Sequence, residues 1–231
     1  MTQRKLEIQE RWLDIRERID KAARKSGRVG EDIVAIAVTK TFPPQDVRVL
    51  QELGFREFGE NRVAELQAKA AEDYEGAVTW HMLGQLQTNK VNHAVRAANF
   101  VHSCDRLRLV NALQRAAGNQ EKRVGVLIQV RLDEDPARGG IEPDEVPALA
   151  EAVARAEMLD LKGIMAMAPL EGDPARAFDE VQEVSQRLVS DHAHANWISA
   201  GMSNDFEIAI AHGATHVRLG RGLLGTRPLV G

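Results

Sequence analysis

Short apolar runs alternate with stretches of helical composition along almost the whole chain, and this alternation limits the fold more than any other feature. The strand-like runs lie near residues 33–39, 55–58, 78–83, 99–103, 124–130, 160–166, 196–199 and 215–219. Between most of them fall stretches with helical composition, at 45–53, 61–72, 107–117, 144–156, 175–188 and 204–212, with a shorter one at 89–98. Eight strands alternating with helices imply an α/β architecture with a parallel sheet, and the number suits a single closed (β/α)8 TIM barrel. A doubly wound open sheet uses the same alternation and stays open as the competitor. Upstream, Ile8, Trp12, Ile15, Ile19, Ala22 and Ala23 recur on one helical face, and Ser26-Gly27 supplies a stop. An extra N-terminal helix therefore precedes the first strand. The hydrophobic share of 44% in 231 residues supports one barrel core. No linker or composition break divides it, so residues 1–231 are expected to form one domain.

Charge and cysteine content exclude several classes. The net charge is -4, with both signs interspersed, so there is no basic footprint for nucleic acid. The lone cysteine, Cys104, cannot form an intrachain disulfide, and a reducing interior suits it. The N-terminal stretch is charged and amphipathic without an apolar signal core, and no run approaches membrane-spanning length. A soluble, cytoplasmic protein is expected.

The chemistry gathers at strand ends. Lys40 closes the first run, Ile33–Thr39, and Phe42-Pro43-Pro44 follows it. Burial lowers the pKa of a lysine, and a neutral amine attacks carbonyls, so Lys40 is a candidate for imine chemistry. Period-two alternation puts Val34, Ile36 and Val38 on the same side as Lys40, toward the barrel interior, with Ala35 and Ala37 toward the helices. The same alternation turns His216, Arg218 and Gly220 inward in the last strand. An inward arginine needs a partner, either a ligand or a barrel carboxylate such as Glu60. After strand seven, Asn204 and Glu207 fit a capping box with Ser203 just before it and Gly201 in the turn. After strand eight comes the segment Gly220-Arg221-Gly222-Leu223-Leu224-Gly225-Thr226-Arg227. Barrels commonly bind phosphate with these two loops. Strands one and eight are neighbours in a closed barrel, so one ligand with an aldehyde, a ring and a phosphate could meet all of these groups. Pyridoxal 5'-phosphate (PLP) has that outline. Lys40 would form the aldimine. Ser203 and the N–H groups of Asn204, Gly220 and Arg221 would hold the phosphate, and Arg218 would face the ring nitrogen. An arginine there donates only, which keeps the ring unprotonated and makes it a poorer electron sink. A Schiff-base aldolase acting on a sugar phosphate would use the same lysine and phosphate site without a cofactor.

Five blocks carry a resemblance: Ala37-Val38-Thr39-Lys40, Phe58-Gly59-Glu60-Asn61, Trp80 through Lys90, Gly163 through Pro169, and Gly201-Met202-Ser203-Asn204-Asp205. In these blocks, and over nearly the whole chain to Pro228, it resembles the YggS/PROSC family of PLP homeostasis proteins. The resemblance implies a (β/α)8 barrel similar to the alanine racemase N-terminal domain. It implies that Lys40 carries PLP as a Schiff base, that Arg218 meets the ring nitrogen, and that Ser203, Gly220 and position 221 hold the phosphate. It also implies binding and buffering of this vitamin B6 cofactor without established turnover. One departure stands out: the family often has Thr or Ser where this chain has Arg221, so a hydroxyl donor to the phosphate is lost there.

Other residues in these blocks admit a second reading. Asn61 is placed to hydrogen-bond the ring hydroxyl or a rim backbone group, and His81 is better read as a satisfied core histidine. Met165 and Met167 share a face that could pack beside the ring or simply fill the core. Asp105 reads as rim solvation. The glycine-tipped loop 133–140 could cover the pocket, engage a partner or lie in solvent. The competing function is a PLP-dependent amino-acid racemase, which needs a base on each face of the ligand. Tyr74, in a charged segment, reads as a surface residue, and Cys104 as a buried structural thiol. The carrier reading is therefore preferred, with apo PLP enzymes as possible recipients and a monomer as the expected state.

Overall fold

A computed structural model describes residues 2–133 and 138–226. Its eight strands are β1 (Val34–Val38), β2 (Glu57–Glu60), β3 (Thr79–Met82), β4 (Phe100–Cys104), β5 (Val124–Val130), β6 (Leu159–Ala166), β7 (Trp197–Ser199) and β8 (His216–Leu219). They pair in chain order, all parallel, and β1 pairs with β8 to close the barrel. The open-sheet competitor is thereby excluded. Helices alternate with the strands: α1 (Gln3–Lys25), α2 (Pro44–Glu52), α3 (Val63–Ala70), α4 (Val91–Ala97), α5 (Leu107–Asn119), α6 (Val146–Ala154), α7 (Pro174–Asp191), α8 (Phe206–Ala211) and a single turn, α9 (Arg221–Leu224). Among the described residues no helix is long and apolar enough to cross a membrane.

The extra helix α1 forms for the reason its periodicity gives. Thr2 caps its first turn, Ile8, Ile15, Ile19, Ala22 and Ala23 are buried, and Gly27 leaves it at φ +73°. Trp12 packs on Phe55 with ring centroids 4.5 Å apart. That contact corrects the expected second strand. Phe55 belongs to the packing under α1, and the strand begins two residues later, at Glu57.

Two separate layers result. The outer layer lies between strands and helices, where Ala37, Phe58, Val217 and Leu219 join residues such as Leu66, Leu113 and Phe178 in one apolar cluster. The inner layer is different. Ile36 lies against Gly59 and Leu83, but much of the rest is polar, with His81, His102, Ser199, His216 and Arg218 all buried. The alternation expected in β1 and β8 therefore holds.

Candidate functional site

The C-terminal rim brings the two ends of the chain together. Ala37 pairs with Leu219, and a Cβ on Gly220 would lie 3.8 Å from Val38. Lys40, half-buried, follows two residues beyond Val38. Its neighbours in sequence are held tightly. Thr39 is fully buried, its hydroxyl donates to Glu60 Oε1 at 2.6 Å, and its carbonyl accepts from Lys69 Nζ at 2.6 Å. Thr41 takes φ +69°, a left-handed conformation costly for a β-branched residue, and its N–H donates to Glu65 Oε2 at 2.7 Å. The backbone on both sides of Lys40 is thus held from α3, by the Lys69 ammonium at the Thr39 carbonyl and by the Glu65 carboxylate at the Thr41 N–H. Neither Thr41 nor Glu65 is marked by any sequence pattern, because the contact depends on the turn and not on spacing.

Glu60 is not the partner of Arg218. Its carboxylate points to the helix side, where Lys69 Nζ lies 2.5 Å from Oε1. Burial pushes the Glu60 pKa up against the opposing pull of Lys69. Glu60 Oε2 is buried without a hydrogen-bond partner. Arg218 instead donates to Ser199 O at 2.6 Å, Ser199 Oγ at 2.8 Å and Ala166 O at 2.8 Å. Burial lowers its pKa to about 10, so it remains a cation at neutral pH. Backbone carbonyls at the ends of β6 and β7 therefore aim a buried guanidinium beneath the rim.

The two expected phosphate turns meet each other. Gly222 N–H donates to Ser203 Oγ at 3.1 Å. A Cβ on Gly222 would come within 2.8 Å of that same side chain, so glycine is required for the approach. Gly201 has φ +87°, and a Cβ there would strike Phe206 Cα at 2.8 Å. The expected capping box does not form. Asp205 caps α8 in position and its Oδ1 accepts from Met202 N–H at 2.5 Å, while Glu207 pairs with Arg18 of α1 at 2.6 Å. A long-range arginine outcompetes the local cap, which leaves Asn204 exposed on the turn. Among the described residues no hydrogen bond occupies the N–H of Ser203 or Asn204. Arg221 is exposed at the start of α9, and Arg227 lies outside the described residues.

Met165 is buried in β6 and pairs in register with Ser199, and Asn61 is half-buried just after β2, with its carbonyl packed against Gly84. His81 is a satisfied core histidine, as expected, bonded to Glu57 and His102. Asp105 pairs with Arg106. Cys104 is buried, and its thiol is pushed up to about 12 by burial and then by Asp105. Tyr74 is not simply at the surface. Its ring packs near Trp80, its hydroxyl is buried without a partner, and burial pushes its pKa to about 12. It sits between α3 and β3, away from the C-terminal rim. Of the loop after β5, Arg138 pairs with Asp133 at 2.8 Å and donates to Ala168 O at 2.8 Å. Glu134, Asp135, Pro136 and Ala137, within the loop read as solvated by default, lie outside the described residues.

The alanine racemase N-terminal domain family matches residues 14–228. The pyridoxal phosphate homeostasis protein of Mycobacterium bovis is 41% identical over 234 residues, covering 93% of this chain and 91% of that one. The structure of PipY from Synechococcus elongatus with PLP bound has a TM-score of 0.81 at 32% identity, and covers 94% of this chain and 100% of that chain. An alanine racemase from Corynebacterium glutamicum has a TM-score of 0.71 at 14% identity, covering 94% of this chain but 62% of that one, a likeness of fold.

Proposed function

This chain belongs to the alanine racemase N-terminal domain family and to its pyridoxal phosphate homeostasis proteins, and on that premise we propose that it binds PLP and carries or buffers it through Lys40. The observation that carries the reading is the rim itself. The strand leading to Lys40 lies beside β8, and the turn after β8 is tied to the turn after β7 by Gly222 and Ser203. Bound there, PLP supplies an aldehyde that joins reversibly to a primary amine.

The residues present fit that group. Ser203 accepts a hydrogen bond from Gly222, so its own O–H is left to donate to a phosphate. The N–H groups of Ser203, Asn204, Gly220 and Arg221 point the same chemistry at an anion. The Arg221 guanidinium, exposed, replaces with charge the hydroxyl that relatives often offer there. Arg218, a donor held by three acceptors, would meet the ring nitrogen without giving it a proton, and Met165 and Asn61 would line the ring. The residues on both sides of Lys40 are held, so less backbone freedom is lost there on binding.

A carrier fits better than a racemase. Reversible proton transfer at a substrate carbon needs a base on each face. A thiol at about 12 and a tyrosine hydroxyl at about 12, buried in the wall or away from the rim, supply none. We therefore assign holding and release of PLP, with apo PLP enzymes as recipients, in a cytoplasmic monomer. The test has two arms. Purified protein mixed with PLP should gain a visible absorption band that borohydride bleaches. Loaded protein given single-enantiomer amino acids in deuterated water should show no sustained exchange at the α-carbon. Sustained exchange would replace the carrier by a racemase, and an absent band would remove PLP altogether.

A further inference from the structure

Branched aliphatic side chains normally fill the interior of such barrels, yet a continuous polar chain crosses this one. Arg218 Nη1 donates to Ser199 Oγ at 2.8 Å, and His102 Nδ1 lies 3.0 Å from the same oxygen. His102 Nε2 is 2.8 Å from His81 Nδ1, and His81 Nε2 is 2.6 Å from Glu57 Oε2. The links come from β8, β7, β4, β3 and β2. Arg218 lies toward the rim. Glu57 is the first residue of β2, at the opposite end, with its side chain 31% exposed.

Donor and acceptor inventories fix the direction of this chain. Arginine only donates, so Ser199 Oγ accepts from it and has one proton to give, for which His102 Nδ1 is the neighbour. His102 then carries its proton on Nε2 and donates to His81 Nδ1. His81 is left with Nε2–H, which is what a carboxylate 2.6 Å away requires. With both histidines neutral, the order that satisfies both ends is Arg218 to Ser199 to His102 to His81 to Glu57.

We propose that Glu57 is a positioning residue for Arg218, fixing from the far end of the barrel, through His81, His102 and Ser199, the hydrogen-bond direction that holds the guanidinium at the ligand rim, and adding its charge to that of Asp205. This rests on the reading that Arg218 faces the ring of PLP. Arg218 is only 6% exposed, and among the described residues its guanidinium donates to the neutral oxygens of Ser199 and Ala166. A buried cation without a carboxylate in contact is costly unless its field is answered elsewhere. The charged and titratable groups around the chain are few. Asp205 faces Arg218 from the turn after β7. His216 sits beside Trp197 and is lowered to about 3 by burial, then by His81. Lys162 of β6 lies near Phe100, which stacks on His81. His102 is held well below its ordinary pKa by burial, then by His81, Arg218 and His216. It therefore serves as a neutral link.

Two measurements test this. Long-range 1H–15N spectra of the ligand-free, histidine-labelled protein should show His102 neutral and protonated on Nε2 at neutral pH, with Nε2 of His81 also protonated. A His102 protonated on Nδ1 would overturn the proposal. In the PLP-loaded protein, Glu57→Gln should lower the pH midpoint of the visible band by about half a unit, since the site becomes more positive. His102→Phe should give the same shift with Glu57 intact, and His102→Gln, which can still accept and donate, should return it toward wild type. A midpoint unmoved by Glu57→Gln would contradict the relay. If the wild-type chain takes up no PLP, the functional reading fails, while the tautomers still decide the relay.

Discussion

The two faces of the barrel wall follow opposite rules. Outward, the strands meet the helices through an apolar layer that a buried ion pair, Lys69 with Glu60, interrupts. Inward, buried histidines, a serine and an arginine replace part of the usual aliphatic filling. The outer layer removes apolar surface from water, which holds the fold. The inner one gives up part of that gain and in return orients a cation at the rim. The lesson is that stability and ligand chemistry occupy opposite sides of the same short strands, separated by a single residue of alternation.

The largest expected effect lies at the one place where the outer layer departs from its rule. Lys69→Met leaves Glu60 buried and unpaired, and should cost about 3–5 kcal/mol by urea denaturation near neutral pH. The sign of its pH dependence follows from Glu60. Its folded pKa is already raised above 4.5 by burial. Its protonated form is therefore the one the fold prefers, and stability is lost as pH rises from the unfolded pKa through the folded one. Losing Lys69 widens that window, so part of the deficit should be recovered on acidification toward 4.5. A variant as stable as wild type would show that the pair contributes nothing and that the two layers differ less than drawn.

Next comes the apolar part of the same layer. Leu113→Ala, at a fully buried position of α5, should cost about 3 kcal/mol and leave PLP uptake unchanged. Reduced uptake in the folded protein would break the separation of the layers.

Near neutral pH the smallest effect concerns the inner layer, and it grows only on acidification. His216 is 4% exposed, and its pKa falls from 6.5 to about 3. The unfolded chain therefore binds a proton that the folded one refuses. This stability is complete above pH 6.5 and is lost as pH falls toward 3, by at most about 1.4 kcal/mol per pH unit. The wild-type minus His216→Gln difference, measured across that range, isolates this slope. Equal slopes would mean that His216 takes up its proton as readily in the folded state as in the unfolded one.

What could be read from the sequence is what depends on local spacing. The alternation gave the barrel, and the helical stripe from Ile8 to Ala23 gave α1. Arg218 was inward because Val217 and Leu219 were apolar. What could not be read depends on partners far along the chain. Glu60 looks like a polar strand end, yet is fully buried because Lys69 turns back to it. Asn204 and Glu207 have the spacing of a cap, but Arg18 takes Glu207 from a helix at the other end of the chain. Each histidine of the inner chain reads alone as an ordinary core residue. Only closure of the barrel joins Glu57 to Arg218.

The most direct test of the central claim is the site of covalent attachment. After loading with PLP, reduction with borohydride and proteolysis, the pyridoxyl group should map to Lys40 alone, and Lys40→Ala should retain none through the same treatment. A pyridoxyl group on another lysine in wild type, or covalent retention by Lys40→Ala, would contradict the account.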